Sequence, residues 1–332
     1  MSALPQILGP LDLPQAPPVT RAAATPMRRP KAPALALLAL GVVLTFGPIV
    51  GGLFAKVASG KQLIDQFAPH MEADALARDN TDLARLRRGA AGVDGVYLRQ
   101  RLPEGRFPIL DEYRRQASGI DGRATNLLDR VEAAGPDYRR VAAIGGFDRV
   151  PFLIVACGLV AIYGSCVLLF GRRNSARWAV GLMMLAGAAL SMYPFLSDLR
   201  TGAHAGERLL PQLAPVMTRE NVRQLQRDFV VLVEADGELE TGFRKVPRNA
   251  TAAAGITAMV NAWPTISSDL ASLVGVINDN IHNYNELEQL DALPRRVGLS
   301  GLAGLPWLLV GVGSACAGLS VAALPRRRKE TR

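Results

Sequence analysis

Four stretches of the chain are apolar and carry no charge: residues 33–55, 151–170, 178–196 and 302–324. Each is long enough to cross about 30 Å of hydrocarbon as a helix, so the pattern predicts four transmembrane helices. The segments between them, 56–150 and 197–301, are charged throughout, yet their apolar residues recur at spacings of three and four. In the second, Ile266, Leu270, Leu273, Ile277, Ile281, Tyr284, Leu287 and Leu290 form one stripe, with Pro264 and Thr265 placed to start its helix. Ile120, Leu127, Val131, Tyr138 and Val141 form the stripe of the first, which Gly135 and Pro136 are expected to break or kink. Val222, Leu225, Phe229 and Leu232 make a further stripe, and Leu76, Leu83 and Leu86 a weaker one. Shorter pieces are expected around Leu110–Tyr113 and Ile256–Val260. Alternating strand patterns are scarce, so each polar segment is expected to fold as its own bundle of three or four helices, the first continuous with the membrane helix before it.

The two halves share text. Pro48, Gly60, Leu63, Gln66, Ala68, Pro69 and Met71 recur as Pro194, Gly206, Leu209, Gln212, Ala214, Pro215 and Met217, always 146 positions on. The register continues without a gap through Asp82 and Asp228, Tyr138 and Tyr284, and Arg149 and Arg295. A period of this kind marks an internal repeat, here of helix, polar domain and helix. Two spans per repeat return the chain to its starting side, so the copies are expected to share one orientation about a pseudo-two-fold axis along the membrane normal. The fold class expected is all-α, integral membrane.

Charge places the ends. The net +9 divides as +3 over residues 1–32, +2 over 56–150, +3 over 171–177, −3 over 197–300 and +4 over 326–332. The excess lies on short segments beside apolar runs, the pattern of membrane topology and not of a nucleic-acid surface. With Arg28, Arg29, Lys31, then Arg172, Arg173, Arg177, then Arg326–Lys329 on one side, both termini are expected to be cytoplasmic and the two polar domains extracytoplasmic. Residues 1–32, rich in Pro and Ala, read as a disordered cytoplasmic tail, 171–177 as a cytoplasmic loop and 325–332 as a basic cytoplasmic tail. The first apolar run is too long for a signal-peptide core and its end recurs in the third, so it is expected to be a retained anchor of the cell membrane.

Candidate chemistry is sparse. Cys157, Cys166 and Cys316 all fall in apolar runs, which excludes a disulfide framework in the polar domains. His70, His204 and His282 have no ligand spacing, so no metal is assigned and they read as surface residues. No nucleophile, P-loop or dinucleotide motif occurs, and the pairs Asp111 with Glu112 and Glu238 with Glu240 read as solvated acids. No catalytic residue and no cofactor follow, and the protein reads as non-enzymatic. No ionisable residue lies in the middle of any span, which disfavours a self-contained coupled transporter. Small residues abound there, among them Gly47, Gly51, Gly158, Gly164, Gly181, Gly187, Gly311, Ala315 and Gly318, and allow close helix packing. Pro48 and Pro194 are expected to bend or end their helices near the outer leaflet, and Arg149, Arg295 and Arg296 to meet lipid head groups.

At Gln66–Met71, Tyr284, Leu293, Pro294 and Leu305–Gly311 the chain resembles uncharacterised multi-pass envelope membrane proteins of high-GC bacteria. The resemblance implies location and brings no activity or functional residue. The reading placed first is a protein whose duplicated outer domains bind or scaffold an envelope partner or a second copy. The alternative is binding or transfer of a lipid or small apolar ligand through a groove between the outer helices, which a dry, filled bundle would remove.

Overall fold

The computed structural model describes residues 31–170 and 173–324. The expectations placed on the Pro-rich tail with Arg28 and Arg29, on Arg172, and on the basic terminus Arg326–Lys329 lie outside the described residues. Within them the fold is helical, with no strand. In order the helices are α1 (Lys31–Val50), α2 (Leu53–Phe67), α3 (Ala73–Gln100), α4 (Pro108–Ala142), α5 (Val150–Phe170), α6 (Arg173–Leu196), α7 (Leu199–Leu213), α8 (Arg219–Glu240), α9 (Ala250–Arg295) and α10 (Leu305–Ala322).

Four of these, α1, α5, α6 and α10, are long and apolar enough to span a membrane, and only about a third of each span is buried. Phe170 and Trp178, 86% and 84% exposed, show the outward face they present. A water-facing surface does not carry apolar patches of that extent, whereas lipid accepts them, and the chain is a membrane protein on this ground. Helix α1 packs along α5 and α6 along α10, and the pairs are joined through α5 with α6 and α1 with α10. Glycine makes the approach. A Cβ on Gly41 would sit 2.9 Å from the Gly158 carbonyl oxygen, and one on Gly187 2.6 Å from that of Gly313.

The first apolar run does not continue into the polar segment as expected. Helix α1 ends at Val50, two residues after Pro48, and Gly52 turns the chain at φ 64° before α2. Helix α6 ends two residues after Pro194, and Asp198 makes the same turn at φ 53° before α7. Only glycine reaches that region without strain; aspartate tolerates it better than most.

Nor do the polar segments form separate bundles. Helix α2 lies on α9 and α7 on α4, each on a helix of the other segment, and α3 likewise packs on α9. Gly60 of α2 abuts Leu287 of α9, and Gly206 of α7 lies near Val141 of α4. Near the membrane helices, Leu63, Phe67, Leu127, Val131 and Tyr138 share one core with Leu209, Leu213, Leu273, Ile277 and Tyr284. A second core, at the far end, joins Val93, Tyr97 and Leu110 to Leu239, Phe243 and Ile256. An amphipathic stripe requires a covering surface but does not name it, and here the other segment supplies it.

Two prolines sit inside helices they were expected to bound or bend. Helix α4 runs on through Gly135 and Pro136. Helix α9 does not start at Pro264 but at Ala250, where the Asn249 side chain accepts from the Ala252 N–H at 3.1 Å, and it continues for 46 residues. An interior proline costs about 3 kcal/mol. Burial of Ile256, Met259, Ile266, Leu273 and Ile277 on either side of Pro264 offsets that cost. The expected short pieces at Leu110–Tyr113 and Ile256–Val260 are turns of α4 and α9.

Some positions 146 apart carry matching local features, although α3 and α8, of 28 and 22 residues, and α4 and α9, of 35 and 46, differ in length. Helices α2 and α7 each have 15 residues and start 146 apart. Tyr138 donates to the Ile64 carbonyl at 2.5 Å and Tyr284 to that of Leu210 at 2.9 Å. The spacing then lengthens: α5 begins at Val150 and α10 at Leu305, 155 apart, because α9 carries extra turns. At this spacing Ser165 bonds the Ala161 carbonyl and Ser320 that of Cys316.

Candidate functional site

The bundle is not filled. A junction cavity of about 220 Å³ lies where it meets the membrane helices. Its walls come from Leu63 and Ile64 of α2, Val141 of α4, Leu199, Ala203, Leu209 and Leu210 of α7, Leu287 of α9 and Leu305 at the start of α10. These are the apolar faces that the helix period dictates, and Gly202 and Gly206 let Ile144 and Leu302 pack close against α7 beside the cavity. Lys61, Asp65 and Asp148 supply the polar edge, and Lys61 makes no ion pair among the described residues.

A second cavity, of about 100 Å³, lies deeper, between α3, α4, α8 and α9. Its lining takes both members of several pairs 146 apart: Asp82 and Asp228, Leu83 and Phe229, Leu86 and Leu232, Ile120 and Ile266, Ala124 and Leu270, Leu127 and Leu273. The walls are apolar and the rim acidic, with Asp79, Asp82, Asp121, Asp228 and Asp269.

These acids differ in how they are held. Asp228, 4% exposed, receives Nε and Nη2 of Arg123 at 2.6 and 2.7 Å and the Gln224 amide at 2.8 Å, so both its oxygens are satisfied. Asp121 takes Arg87 at 2.5 Å. Asp82, 6% exposed, receives Arg85 on Oδ1 at 2.7 Å. Asp79 and Asp269 accept no hydrogen bond and form no ion pair among the described residues. Burial pushes the Asp79 carboxyl up to about 6, helped by the charges of Asp269 and Asp82 and opposed by Arg78. Sequence reasoning missed this group. The signal was present: position 123 is Arg and position 269 Asp, a reversal of charge in an otherwise matching register.

The three histidines are not brought together. His70 is half-buried, with its Nε2 3.5 Å from the Ser272 hydroxyl, and burial lowers its pKa against the pull of Asp269. His204 and His282 are exposed. Among the described residues no group of three or more metal-ligating side chains occurs. Arg149, Arg295 and Arg296 are exposed beside the starts of α5 and α10, with Arg295 bound to Asp291 at 2.9 Å.

Two of the expected solvated acids are structural instead. Asp111 is buried and accepts from the Gly105 N–H at 2.7 Å, leaving Oδ1 without a partner among the described residues. Glu238 accepts from the Leu110 N–H at 2.7 Å, so an acid of the second half caps the N-terminus of α4 in the first. Both sit where the helix dipole favours negative charge. Buried Asp236 was overlooked; desolvation, then Glu240, raises it to about 6.

No family model, no curated protein and no solved structure matches the chain.

Proposed function

We propose that the protein is a non-enzymatic binder of lipid, taking an acyl chain into the junction cavity. One observation carries this: an apolar space of about 220 Å³ lies at the level where membrane helices give way to polar ones. Leu199 and Leu305, which line it, belong to the first turns after α6 and of α10. An acyl chain leaving the bilayer there exchanges one apolar surrounding for another, and Lys61 stands at the edge for a head-group phosphate.

The same reading takes the chain as a tandem duplication in the cytoplasmic membrane of a bacterium, with both termini inside and the polar bundle outside. The matched pairs 146 apart support the first part. Lys31 and Arg177, at the ends of α1 and α6 remote from the bundle, support the second. Cysteines introduced as Arg99→Cys and Lys245→Cys should then react in whole cells with a membrane-impermeant maleimide.

The test of binding is lipid retention. Wild-type protein purified in mild detergent should carry lipid detectable by native mass spectrometry, and Ala203→Phe, which fills the cavity, should lose it. Equal retention by both would remove the reading. The scaffold reading has less behind it, namely exposed Val230 and Val233 on α8, and repeated co-purification of one partner with a lipid-free protein would favour it.

A further inference from the structure

The deeper cavity differs from the junction cavity in one respect that decides its chemistry: a positive charge present on one side is replaced on the other. Arg123 of α4 saturates Asp228 of α8. The positions 146 away from these two are Asp269 of α9 and Asp82 of α3, so where one side has a cation facing an acid the other has two acids. Asp79 adds a third, within Coulombic reach of both. Arg85 takes one oxygen of Asp82; Oδ2 of this nine-tenths-buried carboxylate accepts no hydrogen bond among the described residues, although the residue lines the cavity. Two unpaired carboxylates and half of a third therefore border an apolar space. Like charges so placed raise one another's energy, and a cation between them relieves it.

We propose that this mouth binds an organic cation, an ammonium or guanidinium group, whose compact apolar body enters the cavity between Leu83, Leu86, Phe229 and Leu270. The cationic head takes the role that Arg123 plays on the opposite side. A bare metal ion fits less well, because no three ligating side chains converge and the wall behind the acids is hydrocarbon. The volume, about 100 Å³, suits a body on the order of one aromatic ring. Neutral apolar molecules would leave the acids unpaired and gain only the wall contacts.

The probe is benzylamine, compared with benzyl alcohol of the same shape, titrated into the full chain in nanodiscs with empty nanodiscs as the control for partition. Benzylamine should bind at least tenfold more tightly than the alcohol. Asp79→Asn with Asp269→Asn should remove that preference. Asp269→Arg, which places an arginine where Arg123 has its counterpart, should abolish binding of the amine. Ala124→Leu, matching Leu270 at the equivalent position, should abolish binding of both. Circular dichroism and gel filtration establish that each variant is folded, and lipid retention at the junction cavity should be unchanged in all of them, which separates failure here from failure of the lipid reading. Equal binding of amine and alcohol, no binding by the folded wild type, or magnesium binding that survives Ala124→Leu would each overturn the proposal.

Discussion

The hydroxyl of Tyr138 donates to the carbonyl oxygen of Ile64 at 2.5 Å, tying α4 back to α2 within one half of the chain. Tyr284 makes the corresponding bond to Leu210 at 2.9 Å, with a further contact to Glu288 at 3.1 Å. The Ala68 and Ala214 N–H groups also donate to these two carbonyls, so Tyr138→Phe and Tyr284→Phe each remove one of two donors and should each cost about 1 kcal/mol in chemical unfolding. A silent change at one site and a full cost at the other would show that the two bonds are not equivalent.

Arg123→Ala should cost more. It leaves Asp228, 4% exposed, with only the Gln224 amide. Breaking a buried pair costs about 3–5 kcal/mol, and the partly exposed guanidinium brings the expectation to about 2–3 kcal/mol. Removing both charges, with Arg123→Leu and Asp228→Leu together, should recover much of the loss. A double-mutant cycle by urea titration measures the difference.

The Gln66 side chain accepts from Asn280 at 2.6 Å, which itself accepts from Asn283 at 2.9 Å. Gln212, the residue 146 beyond Gln66, has a buried Oε1 with no partner among the described residues, because the position 146 before Asn280 is Ala134. Asn280→Ala should therefore destabilise by about 1–2 kcal/mol and Gln212→Met should be neutral or stabilising, since an orphaned buried acceptor is removed. Thermal unfolding of the two variants reads the asymmetry.

Acidity follows from Asp79 and Asp236, both raised to about 6 from 3.8. The folded state holds these protons more tightly than the unfolded chain, so their contribution is fully present below about pH 4 and is lost as pH rises through about 6. His70, lowered by burial, works the other way, because protonating it on acidification opposes folding. Asp79→Asn should raise the unfolding midpoint at pH 7.5 and flatten the decline between pH 4 and 6. No change at pH 7.5 would contradict the crowding of carboxylates at that mouth.

The four spans could be read from hydropathy to within a few residues, and the 146-residue register aligned pairs that share hydrogen bonds. Their order in space could not be read. Leu63 and Leu209 declare a buried face on α2 and α7, but Val141 and Leu287 offer the same surface, so the stripes do not say which polar segment covers which. Pro264 misled because a proline that fits the first turn of a helix also survives inside one held by burial on both sides. Asp111 and Glu238 looked solvated because nothing local shows that an acid of one half caps a helix of the other. The cavities arise from gaps between four helices at once, which no single stripe encodes; only the exchange of Arg123 for Asp269 left a trace.

Because α2 rests on α9 and α7 on α4, neither polar segment has a finished core of its own. During synthesis the first two membrane helices leave the ribosome well before α7, α8 and α9 exist, and the leucines of α2 and α4 must wait, uncovered, for the second half. A chain stopped after Phe170 would leave those faces bare for good, so the shared core closes only when α7 and the long α9 arrive.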